Sequence, residues 1–122
     1  MKHMLNKTAL ALAAVLLSLT ALAAARTVTV FSDVSAASGA SAAERTAGYA
    51  HVRVQVCGTG FTGTVTAKQG ANSTTLSDVK VLTLTGVTGC TAANYVKLNP
   101  AVWTGFAYTR TAGAVTVYLE LQ

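Results

Sequence analysis

Few side chains in this chain of 122 residues can carry chemistry. Beyond the first 25 residues there are one histidine (His51), four acids (Asp33, Glu44, Asp78 and Glu120) and two cysteines (Cys57 and Cys90). A hydrolytic triad needs a nucleophile, a base and a group that orients the base. His51 opens "HVRVQVC", with Arg53 two residues on. A cationic neighbour is a poor partner for a base that must itself become cationic. Asp78 and Glu120 are the right residue types for glycoside hydrolysis, which uses two carboxylates. They fall on separate expected strands, and nothing in their spacing brings them together. No His, Cys, Asp or Glu cluster has metal-site spacing. "GTGFTG" (58–63) has the glycines of a phosphate loop, but no helix follows to offer its N-terminus. It reads as a hairpin turn. The expectation is a protein with no enzymatic activity, no metal and no cofactor.

The cysteines speak for a compartment instead. A redox pair stands close in sequence as C-x-x-C, and Cys57 and Cys90 stand far apart. In an exported chain two cysteines read as one disulfide. Loop-closure entropy gives such a bond roughly 3.5–4 kcal/mol, against a total stability of about 5–15 kcal/mol for a small domain. Export is written at the N-terminus. Lys2, His3 and Lys7 form a basic head, and residues 8–25 carry no charge. Ala21-Leu22-Ala23 and Ala23-Ala24-Ala25 both fit the small-x-small rule for cleavage. The expectation is a signal peptide over 1–25 and one domain over 26–122. A retained membrane segment is the alternative, because about 18 apolar residues can just span a bilayer.

The elements that must position these residues are strands. "RTVTVF" (26–31) alternates apolar and polar residues, and so do "YAHVRVQVC" (49–57) and "FTGTVTAKQ" (61–69). "LSDVKVLTLT" (76–85) and "YVKLN" (95–99) follow, the latter stopped by Pro100. "VWTGFAYTRT" (102–111) and "AVTVYLEL" (114–121) read as a terminal hairpin. Residues 32–48 read as a long loop with a short helical turn near 42–46. The fold expected is an all-β antiparallel sandwich of about seven strands, immunoglobulin-like or jelly-roll-like, with a small β-barrel as the alternative.

Strand faces separate core from surface. Val52, Val54 and Val56 share one face, and His51, Arg53, Gln55 and Cys57 the other. Val115, Val117, Leu119 and Leu121 face inward, opposite Thr116, Tyr118 and Glu120. Cys90 lies in "TGVTGCTAAN", which reads as a surface loop tied back to the end of a strand. Phe106 reads as core. Trp103 and Tyr118 are the aromatic candidates for an exposed contact surface, with Arg53 and His51 beside them. The basic residues Arg45, Arg53, Lys68, Lys80, Lys97 and Arg110 are scattered, so no stripe for specific nucleic-acid binding forms.

"VRVQVCGTGFTGTVTAKQGANSTTL" resembles a segment of small β-sandwich structural proteins of phages and prophages. The likeness rests on Val54, Gln55, Val56, Gly58, Thr59, Phe61, Gly63, Thr64 and Val65. "FAYTRTAGAVTVYLEL" is similar to their closing hairpin. The chain departs from that pattern at Lys68, Gln69, Asn72, Ser73 and Leu76, and in its leader. The resemblance implies a virion or surface-assembly subunit whose partners are protein subunits, its own copies or others. Alternatives are a host adhesin or pilus-like subunit, or a periplasmic or secreted carbohydrate-binding module. Any membrane contact would come from an uncleaved N-terminal segment. The expected location is periplasmic, extracellular or virion-associated in a bacterial host. The strand before Pro100 and the first strand are the expected free edges.

Overall fold

The computed structural model describes residues 24–122. The signal peptide expected over 1–25 lies almost wholly outside the described residues. From Arg26 onward the alternation of valine and threonine with polar residues makes β1 (Arg26–Val34), β2 (Ser38–Ala40), β3 (Glu44–Arg45), β4 (Val52–Gly70), β5 (Ser77–Leu98) and β6 (Trp103–Leu121). No helix occurs among the described residues. Every pairing is antiparallel. The sheet order is β1-β6-β4-β5, and β2 and β3 continue the line of β1 along β6.

The long strands cannot be straight. A strand of 19 residues, such as β4, would span roughly 60 Å. β5 ends at Leu98, opposite Val52, whereas β6 begins at Trp103, opposite Gly70. Residues 99–102 alone bridge that gap, so the two ends of β4 lie together and the sheet is folded over on itself. One layer runs β1, 114–121, 52–58, 87–98. The other runs β2 with β3, 103–110, 61–70, 77–85. This is the strand order of a two-sheet jelly roll. Phe31 of the first layer meets Tyr108 of the second edge-on, with ring centroids 4.9 Å apart. Val54 and Val96 of the first layer line one small cavity with Val65, Leu82 and Phe106 of the second. The ends of the strand order, β1–β3 and β5, do not pair with each other, so the sandwich is not a closed barrel.

The core lies between the layers. Val52, Val54, Val56, Phe61, Val65, Val115, Val117, Leu119 and Leu121 are fully buried. Each such side chain contributes about 1.5–3 kcal/mol relative to an exposed one. Inward positions are even-numbered up to Val56 and odd-numbered from Phe61 to Gln69. The switch coincides with register shifts between Gln55 and Phe61. In β6 the same switch separates Thr104, Phe106 and Tyr108 from Val115, Val117, Leu119 and Leu121. One extra residue at each bend keeps the apolar face inside both layers.

Several expected turns are therefore bends. "GTGFTG" does not reverse the chain, because β4 continues through it with a bend. "TAG" (111–113) bends β6 and does not close a hairpin. Gly113 has φ 70°, and a Cβ there would meet the Gly60 carbonyl of the neighbouring strand. Glycine serves a bend and a reversal for the same reason, access to positive φ. The expected loop over 32–48 holds β2 and β3, and residues 44–45 form a strand pair with Trp103 and Thr104 in place of a helical turn. Six elements thus replace about seven, three of them long enough to serve both layers.

Candidate interaction surfaces

The outer face of the first layer is charged. β4 sends Arg53 and Gln55 outward, between β6 and β5. Arg53 pairs in register with Glu120 and Lys97, and Gln55 with Tyr118 and Tyr95. Tyr95 donates its hydroxyl proton to Glu120 Oε2 at 2.5 Å, across the strand between them. The Gln55 amide donates to the carbonyls of Thr91 and Val56 at 3.1 Å and of Asn94 at 3.3 Å. That fixes the 91–94 segment to the sheet. Arg53 and Tyr118 thus share a face, with His51 exposed at its end. His51 is tied down through its backbone, which exchanges hydrogen bonds with Gln122 at 2.8 and 3.0 Å.

Trp103 is not on that face. It opens β6 in the second layer, half-buried, between Gly70 and Arg45 in register. The Arg45 guanidinium stands 5.7 Å from the ring centroid, a cation–π distance. The second layer's outer face carries rows of small, uncharged side chains. Val81, Thr66, Ala107 and Ala40 form one row, and Thr83, Thr64, Thr109 and Ser38 the next. Thr64 and Thr109 share a hydrogen bond of 2.7 Å.

Cys57 and Cys90 are bonded, with Cα atoms 4.3 Å apart. They are direct register partners on β4 and β5, at the spacing of a non-hydrogen-bonded antiparallel pair. Cys57 follows Gln55 on the outward side of β4, opposite Thr116, yet is itself buried, 6 % exposed. The loop expected around Cys90 is part of β5, so the bond links two paired strands and does not tether a loop.

A polar cluster absent from the sequence reading closes the end of the sandwich opposite the bends. Thr46 Oγ1 donates to the Ala101 carbonyl at 2.8 Å and shares a 3.0 Å hydrogen bond with Thr104 Oγ1. Gln69 Nε2 donates to Thr104 Oγ1 at 3.2 Å and to the Asn99 carbonyl at 2.8 Å. Thr46, Gln69 and Thr104 are all buried. Each is satisfied, and the group clamps the 99–102 crossover. Nearby, Arg26 reaches Glu44 at 3.6 Å, joining the start of β1 to β3 across the layers. Among the described residues no group of three or more His, Cys, Asp or Glu gathers as a metal site would.

The free edges are where sequence reading put them, on the first strand and on the strand before Pro100. The large apolar side chains exposed among the described residues are Val79 (48 %), Val81 (54 %) and Tyr95 (37 %). All three lie on the β5 edge.

No family model matches the chain, and no curated protein matches it. A prophage-derived protein shares its fold. The crystal structure of the SPBc2 prophage-derived protein YomS superposes with a TM-score of 0.61 at 11 % sequence identity, covering 80 % of this chain and 92 % of that one. The resemblance to β-sandwich proteins of phages and prophages, drawn from the residues, is thus met by a likeness of fold.

Proposed function

We propose that the chain is a non-enzymatic, exported structural subunit that takes its place in a virion. The observation that carries this reading is the fold shared with a prophage-derived protein. Jelly rolls also build capsid and lectin domains, so fold alone does not choose among functions. Three features support assembly. The Cys57–Cys90 bond suits an oxidising compartment outside the cytoplasm. Two layers joined by a buried polar clamp make a rigid body. A sheet with two free edges offers strands to neighbouring subunits. Its action is passive: it presents preformed surfaces and performs no turnover.

The test is made on the culture that produces the chain. Cell-free supernatant is run on a density gradient, and the chain is located by mass spectrometry beside nuclease-protected nucleic acid. The expected result is co-migration with protected genomes. Recovery only as free protein, or with envelope fragments, refutes the virion reading and favours a surface or secreted binding role.

A further inference from the structure

One aromatic ring lies flat on the outer face of the first layer. Tyr95 stands on β5 and Glu120 on β6, with β4 between them. Neighbouring strands are about 4.8 Å apart. The two side chains must therefore bridge roughly 10 Å to make the 2.5 Å hydrogen bond from the Tyr95 hydroxyl to Glu120 Oε2. A tyrosine standing upright on the sheet could not make it. The ring lies across β4, one face toward the sheet and the other toward solvent, and the residue stays 37 % exposed. The local backbone is built for this. β5 sets residues 91–94 against the single Val56 of β4, and a bulge of this kind re-aims the side chain that follows it. The Gln55 amide holds that bulge by the carbonyls of Thr91 and Asn94. The ring is thus fixed at both ends before any ligand arrives, which lowers the ordering cost of binding.

The rim of the ring decides what it fits. Arg53 and Lys97 pair in register in the same row as Glu120. The ion pairs among the described residues are Arg26–Glu44 and Lys68–Asp78, which leaves Arg53 and Lys97 without a carboxylate. A bare aromatic face takes the C–H bonds on the flat side of a pyranose ring, because the face of the π-system is negative. The rim then meets the hydroxyls around the sugar's edge, Glu120 accepting and Lys97 donating. Two cations to one acid leave a positive charge over, and the planar fork of Arg53 matches a carboxylate. A nucleic-acid strand also stacks on aromatic rings, but it needs a cationic track for its phosphates, and Glu120 interrupts any such track here. A protein partner would need an apolar centre, whereas charges surround this ring.

We propose that the face around Tyr95 binds a carboxylate-bearing pyranose unit of a polysaccharide. The Tyr95 ring is the stacking platform, Arg53 takes the sugar carboxylate, and Glu120 and Lys97 take its hydroxyls. The inference goes beyond the assembly reading and does not depend on it, since the site is the same on a virion subunit and on a free protein.

The experiment is a titration of the isotope-labelled protein, followed through its backbone amide NMR spectrum. A hyaluronan tetrasaccharide and tetragalacturonate are the acidic probes. Chitotetraose is the neutral control, and a thymidine tetranucleotide the polyanionic one. At least one acidic sugar should give saturable shifts at Arg53, Tyr95 and Glu120, and chitotetraose should bind about tenfold more weakly. Tyr95→Ala should weaken the acidic sugar by about tenfold or more. Tyr95→Phe keeps the ring, frees it from Glu120 and should lose less. Arg53→Gln should bind acidic and neutral sugars alike. The spectrum of each variant shows whether it is folded, and the map of shifted amides on the wild type decides if one is not. No shift with either acidic sugar overturns the proposal. So do shifts centred on Trp103, tighter binding of the tetranucleotide than of both acidic sugars, or a folded Tyr95→Ala protein that binds as the wild type does.

Discussion

The side-chain amide of Gln69 donates to the backbone carbonyl of Asn99 at 2.8 Å, although Gln69 pairs in the sheet with Ser77, at the opposite end of β5. One hydrogen bond thus ties the β4 residue beside the start of β5 to the residue just past the end of that 22-residue strand. Gln69→Leu removes the donor and leaves the Asn99 carbonyl and Thr104 short of a partner inside the protein. The expected loss is about 1–3 kcal/mol, read as a lower midpoint in urea denaturation. No loss would mean that water or the remaining threonines take over the clamp.

The disulfide lies between strands that are already paired. Reduction should cost about 2–4 kcal/mol without abolishing the fold. The non-reduced protein should expose no reactive thiol to a thiol reagent, even in denaturant. Denaturation followed by circular dichroism, with and without reductant, measures the first effect. Two equivalents of reacted thiol before reduction would refute the bond.

The bends differ in their tolerance of a side chain. Gly113 has φ 70° and a neighbouring carbonyl where a Cβ would go; Gly86 has φ 57° with open space beside it. Gly86→Ala should cost about 1–2 kcal/mol, from backbone strain alone. Gly113→Ala adds a steric collision and should cost clearly more. Thermal unfolding of the two variants, side by side, tests the ranking.

Trp103 is the single tryptophan of the chain, so its fluorescence reports on its contact with Arg45. Arg45→Ala should shift the emission to the red, as the ring gains solvent. It should cost no more than about 1 kcal/mol, the scale of an exposed cation–π contact. An unchanged spectrum would show that the guanidinium does not shield the ring.

Alternation made much of this fold legible. Val52, Val54 and Val56, and then Val115, Val117, Leu119 and Leu121, obey a period of two and are buried as that period requires. The bends were not legible as bends, since Gly-Thr-Gly serves a bulge as readily as a reversal. The shift of parity between Val56 and Phe61 is visible in the sequence, but only register shows that it marks a bulge. Cys90 sits on an edge strand, exposed along most of its length, so no hydrophobic alternation announced it. Thr46, Gln69 and Thr104 are buried because they satisfy one another, a property of the folded arrangement and not of any local pattern. His51, Arg53 and Tyr118 could be assigned to outward positions. That Arg53 and Tyr118 are neighbours, and that Trp103 stands apart from them, depends on strand order.

Arg26 and Leu121 are register partners at the clamped end of the sandwich, so the described chain enters and leaves through the same doorway. A linker from Gln122 back to Arg26 has little distance to cover. New ends cut at the exposed tip of residues 71–75 would give a circular permutant with the same core. The arrangement also gives the particle a front and a back. Whatever is joined covalently to either terminus is carried behind the clamp, and the glycine bends at the other pole stay free to meet something else.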